Sequence, residues 1–216
     1  ANALKAKPAP FYDNKFASRI KVGNFDDDFP KIKECDWIIE VVVERLDIKK
    51  QIYEKGEQFR SKGSLVTSTT SGIPIHLMAE GRSEDFQQNF CGTHFFNPPR
   101  YMRLLEIIPT ATTSQSVIDF LMHYGDVFLG KETVLCKDTP AFIANRVGVY
   151  AMAKIFQLTQ ELGLTIEEVD KLTGSAIGRP NTGTFKLSDL VGNDTGTKEM
   201  LGIKENCPND EQASAF

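Results

Sequence analysis

The chain has 216 residues, 41% hydrophobic and 25% charged, with 25 basic against 29 acidic side chains and a formal net charge of −4. That balance argues against a nucleic-acid partner, which calls for a basic excess or a basic stripe. No apolar run approaches the roughly 18 residues of a membrane span. A chain this long buries about 70% of its unfolded surface, so neither disulfide nor metal is needed for folding. Cys35, Cys91, Cys136 and Cys207 form no C-x-x-C pair, and His76, His94 and His123 form no H-x-x-x-H or H-E-x-x-H pattern. A zinc framework is therefore not expected, and a reducing, cytoplasmic setting is.

In chain order, Ala1 to Lys7 reads as the end of a helix stopped by Pro8 and Pro10. Nothing before it accounts for a helix there, so a preceding N-terminal segment is expected. Past Ser18, β-like runs alternate with helical patterns, the signature of an α/β domain. RIKV (19–22) is a short strand candidate, and DWIIEVVV (36–43) has the apolar, β-branched character of a buried parallel strand. Residues 46–60 form an amphipathic helix, 63–68 a strand, and Thr70 to Gly72 a turn before a short helix after Pro74. Further strands are read at 90–96, 103–108 and 133–136, with a helix capped by Ser114 between the last two.

From Ala141 onward only helices are expected. A long one runs from Phe142 to Leu162, and Thr165-Ile-Glu-Glu168 opens another with an N-cap and acidic first turn. The domain boundary is placed at 138/139, giving an α/β part (1–138) and a helical part (139–216).

His94 ends a strand in GTHFFNPP, where open α/β sheets present ligand-binding groups. Twelve residues later Glu106 is a lone carboxylate in the apolar string LLEIIP. Such a group must be desolvated unless something positive or hydrogen-bonding meets it. A histidine that gains charge during a reaction is one such partner; a solvent-facing strand position is the other reading. Asn97 either donates to a ligand or closes an Asx turn. Ser71, in TSTTSG, either binds a ligand hydroxyl or caps the next helix. Asn145, in PAFIANR, is either held for a polar contact or lies on the surface. No G-x-G-x-x-G occurs anywhere, and GSAIG (174–178) follows no strand.

Taken together, CDWIIEVVVERLDIKK (35–50), GSLVTSTTSGI (63–73), GTHFFNPPRYMRLLEIIP (92–109), CKDTPAFIANRV (136–147) and IGRPNTGTFKLSDLVGNDT (177–195) resemble the L-3-hydroxyacyl-CoA dehydrogenase family. NPPRY and GRPNTGTF are most similar to its long bacterial members with a fused enoyl-CoA hydratase-like part. The resemblance implies an incomplete Rossmann-like, doubly wound parallel sheet followed by an all-helical dimerisation domain. It also implies oxidation of an L-3-hydroxyacyl-CoA to the 3-ketoacyl-CoA in fatty-acid β-oxidation, with NAD as cofactor and an acyl-CoA substrate. On the same basis His94 matches the general base and Glu106 its partner carboxylate. Ser71 and Asn145 match the groups that hold the substrate oxygen and orient the site. Glu44, Lys49, Asn97 and Ser71 match cofactor-contacting positions, and a homodimer through the helical part is implied.

Two departures stand out: Thr69 and Arg45 each occupy a position where the family has Asn. The family also opens with a strand–G-x-G-x-x-G–helix–strand unit that this sequence lacks. An exposed edge is therefore expected on the IIEVVV strand, covered by another segment or chain, and RIKV should have no partner. Weak NAD binding by these 216 residues alone follows, and micromolar affinity in calorimetry would refute it. Two other readings stay open: an inactive remnant serving as a binding or assembly module, and a related hydroxyacid dehydrogenase. The HFFNP run disfavours the second of these.

Overall fold

The computed structural model describes residues 2–209, and the chain divides into two compact units after Asp138. The first unit is built on five strands in the order β1-β2-β3-β4-β5: β1 Trp37–Glu40, β2 Leu65–Ser68, β3 Phe90–Phe95, β4 Leu104–Pro109 and β5 Glu132–Leu135. Helix α1 (Leu46–Glu57) links β1 to β2, α2 (Ile75–Ala79) and α3 (Glu84–Gln88) link β2 to β3, and α4 (Gln115–Val127) links β4 to β5. Each helical crossover returns the chain parallel to the strand before it, as β1–β2, β2–β3 and β4–β5 show.

One pair departs from the parallel order. β3 and β4 are antiparallel, because only residues 96–103 join them and a parallel return needs a dozen or more. A second difference is RIKV, which forms no strand: residues 20–24 belong to no element and pair with nothing in the sheet. Three 3₁₀ turns, Asn2–Lys5, Asn14–Arg19 and Phe29–Glu34, occupy the stretch ahead of β1 instead. Among the described residues β1 is therefore an edge strand, with Ile39, Val41 and Val43 exposed beside it. A cleft of about 490 Å³ runs along this edge, walled by Phe25, Phe29, Ile38 and Ile52.

Both sheet faces are packed. On one, Leu65, Cys91, Leu105 and Ile107 meet Val117 and Leu121 of α4. Trp37 stands edge-on to Tyr124 of the same helix at 5.8 Å between ring centres. Elsewhere Tyr53 of α1, Phe86 of α3 and Phe90 of β3 form a ring cluster with centroids 5.0–5.4 Å apart. Gly92 is required by this packing, since a Cβ there would lie 2.7 Å from Ile75 Cδ1 and 3.1 Å from Ile108 Cβ.

The second unit comprises α5 (Ala144–Leu162), α6 (Ile166–Thr173), α7 (Phe185–Val191) and α8 (Asn193–Asn206). Helix α5 stops at Gly163, whose φ of 63° is left-handed. Thr165 and Glu168 form a complete capping box on α6. The Asp170 carboxylate reaches out of α6 to accept from the N–H groups of Phe185 (2.7 Å) and Lys186 (3.1 Å), which fixes the start of α7. Gly183 (φ +63°) lies so close beneath that a Cβ would sit 2.5 Å from the Asp170 Cα and carbonyl oxygen. Gly183→Ala combines a left-handed φ with a backbone clash, so a loss on the order of 2 kcal/mol or more is expected in chemical denaturation. Among the described residues no helix is long and apolar enough to cross a membrane, and no cluster of His, Cys, Asp or Glu is arranged to hold a metal ion.

Candidate active site

The antiparallel turnback that the pattern of apolar runs did not reveal is what assembles the site. In the β3–β4 ladder His94 lies directly opposite Glu106, so both side chains leave the same face as cross-strand neighbours. His94 Nδ1 is 2.7 Å from Glu106 Oε2. Glu106 is wholly buried and His94 nearly so. The spacing of twelve residues is that of a hairpin pair, and the apolar string around Glu106 is the strand interior. Phe96 closes one side of the imidazole, edge-on at 4.5 Å.

Cys136 follows β5. The β4–β5 register sets Val134 beside Glu106, so Cys136, two residues on, shares that face. Burial pushes its thiol up to about 12, and the Glu106 carboxylate adds to the effect through charge and a hydrogen bond. Burial likewise pushes Cys91 up to about 12. An expected consequence is selective thiol chemistry. A disulfide reagent near neutral pH should modify exposed Cys35 at once and reach Cys91 and Cys136 only after denaturant is added.

Ser71 sits in the turn after β2, held from the loop that follows β1. Glu44 Oε1 accepts from the Thr70 hydroxyl, the Ser71 N–H (3.0 Å) and the Gly72 N–H (3.1 Å). Desolvation pushes the Glu44 carboxyl up, but the Thr70 hydroxyl, the Lys49 charge and the two N–H groups outweigh it, leaving it below its ordinary value. A depressed folded value means this grip is complete above the ordinary glutamate range and is lost as pH falls through the folded value. The turn is thus expected to loosen only in acid, which amide-exchange rates of residues 70–72 across pH would show.

The remaining sequence candidates are placed unevenly. Lys49 is buried in α1, its ammonium on Glu40 Oε1 (2.9 Å), Glu40 Oε2 (3.0 Å) and Glu44 Oε2 (3.4 Å). Asn97 is exposed just past β3. Asn145 is half-buried in the first turn of α5, in the second unit. Of the two departures from the family pattern, Thr69 bonds the Glu40 carbonyl through N–H (3.1 Å) and hydroxyl (3.3 Å). Arg45 is exposed and forks onto Asp47, at 2.6 Å for the closer pair.

Sequence reasoning missed Glu40. It is buried at the end of β1 and accepts from Val42 N (2.6 Å), Tyr53 Oη (2.7 Å) and Ser68 Oγ (2.7 Å) besides Lys49. Its signal was the one that exposed Glu106, a lone carboxylate in an apolar run, here WIIEVVV.

Glu44 follows β1, Ser71 follows β2 and His94 lies at the end of β3. They therefore mark the carboxyl ends of three adjacent parallel strands, where such sheets bind ligands. The Glu44 carboxylate and the polar turn it holds fit the amide and hydroxyl groups of a nicotinamide riboside. The chain has no G-x-G-x-x-G with which to cradle the pyrophosphate.

Residues 2–139 match the family model of the 3-hydroxyacyl-CoA dehydrogenase NAD binding domain, and residues 142–215 match that of the C-terminal domain. The chain belongs to the 3-hydroxyacyl-CoA dehydrogenase family. A probable 3-hydroxyacyl-CoA dehydrogenase of Deinococcus radiodurans is 47% identical over 97% of this chain and 60% of its own length. One of Bacillus subtilis is 48% identical over 97% of this chain and 26% of its own length. The chain thus spans less than two thirds of either relative. Among solved structures, the (S)-3-hydroxybutyryl-CoA dehydrogenase PaaH1 of Ralstonia eutropha superposes with a TM-score of 0.81 at 27% identity, over 91% of this chain and 66% of that one. These likenesses bear out a Rossmann-like domain followed by a helical one, the 3-hydroxyacyl-CoA dehydrogenase architecture.

Proposed function

We propose that this chain carries the proton-transfer machinery of an NAD-dependent L-3-hydroxyacyl-CoA dehydrogenase working in fatty-acid β-oxidation. The observation that carries the reading is the buried His94–Glu106 pair, 2.7 Å between Nδ1 and Oε2. With Nδ1 directed at a carboxylate, Nε2 is the nitrogen that takes the proton of the substrate's 3-hydroxyl. Glu106 holds the tautomer and pairs the imidazolium that forms. Burial keeps water from competing for that proton and strengthens the pairing. Ser71, on the turn gripped by Glu44, donates to the substrate oxygen as it becomes a carbonyl. Glu44, Lys49 and Asn97 serve the nicotinamide side. NAD, when bound, supplies the hydride acceptor.

The test is reduction of NAD by the intact protein with an L-3-hydroxyacyl-CoA. No reduced cofactor from the intact protein would refute the reading. The helical unit completes a homodimer in this account, supported by Val147, Tyr150 and Leu158 exposed along α5. A monomer in sedimentation analysis would contradict that part. A reducing, cytoplasmic setting fits four cysteines that are all unpaired.

A further inference from the structure

The cofactor-side loops rest on a carboxylate that touches neither cofactor nor substrate in the account above. Glu40 closes β1 with its side chain only 2% exposed, and the side chain of Lys49, its partner, is 1% exposed. Burying a charge is costly unless it is paired and hydrogen-bonded, and Glu40 is met on every side. The Val42 N–H, the Lys49 ammonium, the Tyr53 hydroxyl and the Ser68 hydroxyl all donate to it, at 2.6–3.0 Å. These donors come from the loop after β1, from α1 twice and from the end of β2, so one carboxylate joins three segments. Burial, followed by the Glu40 charge, holds the Tyr53 phenol protonated and able only to donate there.

The chain of contacts continues outward. Lys49, fixed by Glu40, also reaches Glu44 Oε2 at 3.4 Å and the Val42 carbonyl at 3.4 Å. Glu44 then grips the Thr70–Gly72 turn with its other oxygen. Beneath the turn, Ser68 Oγ donates to Glu40 and in turn receives the Thr70 N–H at 3.3 Å. The turn that carries Ser71 is therefore tied to Glu40 by two routes, one through Lys49 and Glu44 and one through Ser68.

We propose that Glu40 is a positioning residue for the Ser71 turn, acting through the buried Lys49 and through Ser68 to set where Glu44 and Ser71 stand. Lys49 in this arrangement works from beneath, by orienting Glu44. The effect on turnover rests on the dehydrogenase reading; the effect on the turn does not.

The test is amide hydrogen exchange on the intact protein, comparing the wild type with Glu40→Gln and Glu44→Gln. Glu40→Gln should speed exchange of residues 70–72 about tenfold or more, as expected when a charge-assisted bond is lost. Glu44→Gln should do the same, while residues 90–95 of β3 keep their protection in both. Unchanged exchange at 70–72, or equal loss at 90–95, would overturn the proposal. If Glu40→Gln fails to fold, Glu40→Gln combined with Lys49→Met removes both buried charges together and provides the same readout. In turnover, Glu40→Gln should lower kcat in the wild-type background but have little further effect on top of Ser71→Ala. Additive losses would mean that Glu40 does not act through Ser71. An intact wild type that reduces no NAD would sink the dehydrogenase reading while leaving the exchange result to decide the structural claim.

Discussion

His94→Ala is expected to cut turnover of an L-3-hydroxyacyl-CoA by about 10²–10⁴-fold, the range for removing a positioned general base. KM should move far less. The imidazole is nearly buried and bonded to Glu106, and in the proposed reading it takes a proton during reaction and does not hold the acyl-CoA. A residue used only in the transition state lowers kcat and kcat/KM together and leaves binding alone. Glu106→Gln is the companion variant. It keeps shape and volume but removes the charge that pairs the imidazolium, so it should again lower kcat with KM retained. Steady-state kinetics of both variants alongside thermal melting separate chemistry from folding. Equal losses in kcat and substrate affinity, with a lowered melting temperature, would mean the pair is only a structural cross-strand bond.

The largest effect on stability is expected from Lys49→Met. This substitution preserves most of the side-chain volume but strips the ammonium from two carboxylates. Glu40, 5% exposed, is left charged, buried and without its counter-ion. Breaking one side of a buried pair costs about 3–5 kcal/mol, because the remaining charge has lost its compensation. Glu40 retains its bonds from Val42, Tyr53 and Ser68, which places the loss toward the lower end. The double variant Glu40→Gln/Lys49→Met should recover much of it, since buried ion pairs replaced as a unit are often neutral. Urea denaturation of the three variants tests this directly. A Lys49→Met protein as stable as the wild type would show that the pair is solvated in solution.

Much of the fold was legible because local signals and tertiary demands agreed. The β-branched run at 36–43, the helix after Ser114 and the Thr165–Glu168 box all form elements near where their patterns place them, although the Ser114 side chain makes no capping bond. RIKV was misread because a four-residue apolar alternation has no stability alone: a strand exists only where a neighbour accepts its hydrogen bonds, and among the described residues none does. The direction of β4 was not legible for a related reason. Its sequence, LLEIIP, reads the same parallel or antiparallel, and only the short connection 96–103 decides.

Of the site, His94 and Glu106 were visible as a polar pair embedded in apolar strands, and Ser71 as a hydroxyl at a strand end. Glu40 carried the same mark as Glu106 and was passed over because the runs around it read simply as a buried strand. Lys49, read as a cofactor contact, is held beneath the surface by Glu40 and Glu44. No residue pattern along a helix reports that, since one lysine at a given spacing serves equally for a solvated face or a buried pair.

The sequence by itself determined where the chain is apolar, where it must turn and which polar side chains have no solvent to reach. Together with its motifs, that was sufficient for the family and the division into an α/β and a helical part. The tertiary structure decided which of those stranded polar groups meet. Pairing His94 with Glu106 depends on strand register, and joining Glu40, Lys49, Glu44 and the Ser71 turn depends on three segments converging. Those are distances across the fold, and they come into being only when hydrophobic packing brings the strands and α1 together.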